Sequence, residues 1–128
     1  MSYQDSQFIK TFACASTVSK FALVKINSSN QVEHCTADTD VPVGIAQRGG
    51  ASGDLIEVCL QGPSFALAGG TITLGTDLLL MPSTAGKLIA LDTSGGGTQN
   101  SVAQFIHNET ASANDEILVF YRGVSQSA

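Results

Sequence analysis

The feature that most restricts how this chain folds is an internal repeat. The pattern Asp54-x-Ile56-x-Val58-x-x-x-Gly62 returns 61 residues later as Asp115-x-Ile117-x-Val119-x-x-x-Gly123. A self-match at a fixed interval means one supersecondary unit used twice. Both segments alternate: Ile56, Val58 and Leu60 fall on one side with Glu57 and Gln61 opposite, and Ile117, Val119 and Tyr121 fall together in the same way. Period two is the signature of a half-buried strand. Upstream, Val43 and Ile45 align with Ala103 and Phe105 once the second loop is allowed one extra residue, and residues 23–26 align with 78–81. Each of these runs meets a turn, at 27–30 and 82–86, and each turn leads to another strand, at 31–35 and 87–91. Residues 21–62 and 76–123 therefore read as two copies of one four-strand meander. Two copies are too few for a solenoid, so the expectation is a single pseudo-symmetric β domain over residues 21–128, preceded by a segment, 1–20, that matches neither copy.

The remaining signals agree with an all-β chain, a compact antiparallel barrel or sandwich. Gly49-Gly50, Ser52-Gly53, Gly69-Gly70, Ala85-Gly86 and the run at 94–97 punctuate the strands, and no window carries a capped 3.6-residue stripe. Charged residues make up 13% of the 128, about half the usual share, which disfavours coiled coils and solvated helix bundles. Six basic against eleven acidic residues, a net charge of -5, argue against nucleic acid as a partner, since no basic stripe is available to displace counterions from phosphates. A membrane partner is not expected either: no run approaches the roughly 20 apolar residues of a spanning helix, the longest comparable one ending at Pro82. The start, MSYQDSQFIK, lacks the basic patch and apolar run of a secretory signal.

Two groups of apolar residues stand outside this economy. Phe8, Ile9 and Phe12 concentrate large side chains in the first twenty residues. Two readings are open there, an arm that docks on another protein by strand addition or a first strand packed on its own barrel. In the last strand of the second copy, Leu118 and Phe120 occupy the outward positions that Glu57 and Cys59 hold in the first. A strand apolar on both sides is buried on both sides, either by a second layer of the same domain or by a neighbouring subunit.

Candidate chemistry is sparse. Cys14, Cys35 and Cys59 are odd in number, lack a C-x-x-C pair and read as buried free thiols. His34 and His107 have no ligand-type residues at metal spacing. Asp38 and Asp40 flank Thr39 and could offer oxygens to a calcium ion, without the glycine or the bidentate glutamate that would complete the site. The glycine cluster at 49–53 is followed by Asp54 rather than by lysine, so it reads as a hairpin connection and not a phosphate cradle. Lys87 sits at a turn between strands, where lipoyl and biotinyl carriers present a modified lysine, but its neighbours Leu88 and Ile89 do not match those motifs. No catalytic constellation and no cofactor site emerge, and the chain does not read as an enzyme.

Residues 67–80 followed by Ala85-Gly86-Lys87, and Pro42-Val43-Gly44-Ile45-Ala46 leading through glycines to 53–58, resemble small decoration (cement) proteins of tailed-phage capsids over roughly residues 20–123. The second copy departs from the pattern at Gln104 and Asn114, where polar residues occupy glycine-like positions. The resemblance implies a structural virion protein on the outer capsid surface, made in the host cytoplasm. Its partners would be the major capsid protein and itself, as a homotrimer, with no cofactor and no turnover. On that reading Phe8, Ile9 and Phe12 are candidate capsid contacts and Leu118 and Phe120 candidate intersubunit contacts. The alternative is a β-sandwich binding module for carbohydrate or a host surface, which would need exposed aromatic platforms from a chain with no Trp and two Tyr, Tyr3 and Tyr121.

Overall fold

A computed structural model describes residues 8–37, 40–90 and 100–126. These form strands β1 (Phe8–Cys14), β2 (Leu23–Ile26), β3 (Gln31–His34), β4 (Gly44–Ala46), β5 (Leu55–Leu67), β6 (Leu79–Pro82), β7 (Leu88–Ala90), β8 (Asn100–Phe105) and β9 (Glu116–Gln126). A short 3-10 turn lies at Thr84–Gly86. The class is all-β, as the alternation and the glycine punctuation require.

The strands follow one another in space as β1-β3-β2-β4-β5-β9-β8-β6-β7, and β1 also pairs with β5. That extra pairing closes β1, β3, β2, β4 and β5 into a ring. Five strands cannot alternate direction all the way round, so one seam must be parallel. It lies between β1 and β3, at Ala13↔Gln31 and Cys14↔Val32. The second half repeats the arrangement. Residues 62–67 of β5 pair with β9, then β8, β6 and β7 follow. The ring closes where Ala68 bridges Leu88 in parallel and the Gly69 N–H donates to the Leu88 carbonyl at 2.7 Å. The molecule is two small five-stranded barrels threaded on β5. Its residues up to Gln61 serve the first barrel and those from Gly62 onward the second. Gly62 stands at the changeover with φ 118°, a backbone conformation that L side chains rarely adopt.

The repeat thus reaches further than the sequence match. β1 has a counterpart in the second half of β5, and the bonds around each coincide. Cys14 N–H donates to Asp54 O at 2.8 Å as Ala68 N–H donates to Asp115 O at 2.9 Å. The isolated bridge Val18↔Gly50 is matched by Ile72↔Ala111. The pairing registers also move the sequence alignment by one residue in two strands. Leu23 pairs with Ile45 as Leu79 pairs with Gln104, and Ala46 pairs with Val58 as Phe105 pairs with Val119. Leu23 therefore corresponds to Leu79 rather than Leu78, and Ile45 to Gln104 rather than Phe105. A run of three leucines carries no phase of its own. A one-residue slip exchanges the two faces of a strand, so only the pairing decides.

Each barrel has its own core. Phe12, Cys14, Val18, Val24, Val32, Ala46, Ile56 and Val58 fill the first, and the corresponding positions fill the second. The volumes are exchanged rather than copied. Phe12 and Ala46 in the first barrel are replaced by Ala66 and Phe105 in the second, so each holds one phenylalanine supplied from the opposite side. Interiors tolerate such swaps where total volume is kept. The second core also takes in Leu23, Cys35 and Ile45 from the first barrel.

Candidate functional site

The polar residues singled out by sequence are engaged in holding the chain. The neutral His34 ring accepts the Ser19 N–H at Nε2, 2.9 Å away, and burial lowers its pKa. His107 accepts the Leu118 N–H at Nδ1, 3.2 Å away. Asp40 Oδ2 accepts the backbone N–H groups of Thr36 at 2.7 Å and Ala37 at 3.1 Å, and faces Lys25 Nζ at 3.3 Å. The bond from Thr36, with those from Lys25 and Ala37, holds its carboxyl below the usual range against an opposing effect of burial. Its oxygen is occupied by a loop, in the place where a calcium ligand was conceivable. Asp38 lies outside the described residues. Lys87 Nζ donates to Asn114 Oδ1 at the surface.

The three cysteines are buried and unpaired with one another. Burial, with the Asp40 carboxylate adding to it, pushes the Cys35 thiol up to about 12. A thiol held protonated is a poor nucleophile and a poor metal ligand. Burial raises Cys59 and Tyr121 likewise. Among the described residues no three His, Cys, Asp or Glu side chains converge as metal ligands, and no helix is long and apolar enough to cross a membrane. Tyr121 is buried, its hydroxyl donating to the Pro42 carbonyl at 3.3 Å, so it offers no platform to a sugar.

What the surface does present is apolar. On β1, Phe8 and Ile9 are exposed, whereas Phe12 is buried opposite Ile56, with Lys10 Nζ 5.1 Å from its ring centroid on the solvent side. The three N-terminal candidates are therefore not brought to one face. Leu118 and Phe120 do share a face, the outer side of β9. Leu118 is half-buried beside Phe65, and Phe120 lies exposed between Pro63 and Gln104. Phe65 is itself exposed and packs on Phe21 at 5.6 Å between ring centroids. Across β8 the same face reaches Leu79, also exposed. Sequence reasoning missed Phe65, because it ended the strand at Gly62. It missed Leu79 through the one-residue slip. The continued alternation Ser64, Ala66 against Phe65, Leu67 was the available signal for the first.

A scan of the sequence against protein families matches none, and a search of curated proteins by sequence finds no match. Among solved structures, the fold is similar to the crystal structure of the head fiber gp8.5 N base of bacteriophage phi29. The TM-score is 0.70 at 16% sequence identity, over 95% of this chain and 99% of that one. At that identity the likeness is one of fold.

Proposed function

We propose that this chain is a structural protein of a phage particle, seated on the outer surface of the head as a homotrimer, where it bridges neighbouring major capsid subunits and turns over no substrate. The observation that carries this reading is the end-to-end likeness of both barrels to a phage head fiber base. The surface chemistry fits the reading. The titratable side chains singled out above are tied into loops and turns, while Phe65, Phe120 and Leu79 expose apolar surface on β5, β9 and β6, on the same face as Gln104 of β8. Attachment at several capsid subunits at once makes weak contacts additive, and a ligand bound only to the assembled shell stabilises it by mass action.

The test uses heads of the phage that encodes the chain, purified without it and expanded. Sedimentation of those heads with the purified protein is expected to show saturable uptake at a fixed number of copies per head. Treated heads are also expected to release DNA at a higher temperature. Heads that take up none of the protein overturn the proposal.

A further inference from the structure

The two barrels meet along a row of side chains, and among the described residues only one of the two equivalent rows is covered. In the first barrel, Leu23, Ile45 and Cys59 stand in register across the outer faces of β2, β4 and β5, all fully buried. The second barrel covers them. Its turn at Thr84–Gly86 comes so close that a Cβ at Gly86 would lie 2.8 Å from Ala22 Cβ and 3.1 Å from Leu23 O. The Gly86 N–H donates to Cys35 O at 2.8 Å. The second barrel carries the same row in the same register, Leu79, Gln104 and Phe120. Here Leu79 is 40% and Phe120 37% exposed. The inward neighbours Leu80 and Val119 are fully buried, so the barrel beneath is well packed. What differs is the cover.

We propose that a second copy of this chain covers this row, presenting the β2–β3 turn of its first barrel, residues 27–30. The molecule itself shows what fits at the Leu79 end, since Gly86 in the corresponding turn of the second barrel already packs on the Leu23 end of the corresponding row within the chain. The 27–30 turn has the same build. Asn27 N–H donates to Gln31 O at 2.8 Å as Ser83 N–H does to Lys87 O at 2.8 Å. Asn30 has φ 61° where Gly86 has 72°. Ser28, Ser29 and Asn30 are exposed. The replica is not strict, and the differences are chemical. Asn30 replaces Gly86 and Leu78 replaces Ala22, so the two surfaces stand further apart than inside the chain. Gln104 replaces Ile45, which puts an amide at the centre of the row. The contact joins two unlike surfaces. Such head-to-tail association closes into a ring when the rotation permits. It deepens the self-association in the reading above and does not depend on capsid binding.

The experiment is sedimentation velocity on two variants and their mixture. Leu79→Asp with Phe120→Asp blocks the row, and Ser28→Arg with Ser29→Arg blocks the turn. The unaltered protein is expected to sediment as a closed oligomer, and each variant as a monomer with unchanged circular dichroism. An equimolar mixture should give a species of two chains, because each variant keeps the surface that the other lacks. If the row variant misfolds, Gln104→Arg, at an exposed position, takes its place. A monomeric unaltered protein overturns the inference, even one that still binds heads. So does a folded row variant that remains oligomeric, or folded monomeric variants that fail to combine.

Discussion

Asp54 and Asp115 are the residues that make the repeat visible, and their work is local. Each carboxylate accepts a backbone N–H from three residues earlier, Ala51 and Ser112, both at 2.9 Å. The residue before each is left-handed, Gly53 at φ 89° and Asn114 at 73°. Asparagine is among the few L residues that enter this region readily, so the departure of position 114 from glycine leaves the turn intact. These roles are legible in sequence because turn chemistry is local. His34 is the opposite case, since its acceptor role depends on Ser19, fifteen residues away. Its pKa is lowered by burial from 6.5, so the unfolded chain takes up the proton first. The contribution is complete above about pH 6.5 and is lost as pH falls toward the lowered value. Protonation also replaces the acceptor at Nε2 by a donor. The midpoint of urea unfolding is expected to fall between pH 7.5 and pH 5.5, with a shallower fall in His34→Gln. An equal fall in that variant would place the pH dependence elsewhere.

At the scale of elements, strand existence was readable throughout, but strand phase only in the long strands. The alternation in residues 54–61 and 115–122 is strong enough to place β5 and β9. The short strands β2, β4, β6 and β8 hold too few residues to fix which side faces inward, and pairing does so instead. β4 shows the constraint most directly. It is three residues long, and a Cβ on Gly44 would come 2.2 Å from Cys59 O and 2.7 Å from Val58 Cγ1. The first contact is with backbone of the long shared strand, which cannot retreat without disturbing both barrels. Gly44→Ala is therefore expected to destabilise the fold by about 1–3 kcal/mol, the usual cost of overpacking, in a urea titration. A variant as stable as the parent would mean that β4 moves away from β5 freely. The corresponding residue of the second barrel is Ala103, which is buried and carries its Cβ. The close approach is thus particular to the first barrel, where β4 must also leave room for the second barrel outside it.

The molecule as a whole is a tandem whose halves share a strand and part of a core. The repeat foretold a single pseudo-symmetric unit. It did not foretell two barrels, because β1 and the second half of β5 correspond through pairing, with Phe12 standing for Ala66 and Cys14 for Ala68. Residues so different in size leave no mark in a sequence comparison. The shared core has an energetic consequence. Ile45 is borne by the first barrel but belongs, fully buried, to the core cluster of the second. Removing its outer carbons leaves a cavity at the join rather than inside either ring. Ile45→Ala is expected to cost about 2–5 kcal/mol and to lower one cooperative unfolding transition without splitting it. Hydrogen exchange separates the two possibilities. If the barrels open as one unit, amides of β4 and of β8 will accelerate by the same factor in the variant, because both report the same global event. Acceleration confined to one barrel would show that the strand they share does not bind their stabilities together. The barrel whose amides accelerate would then be the one that opens alone.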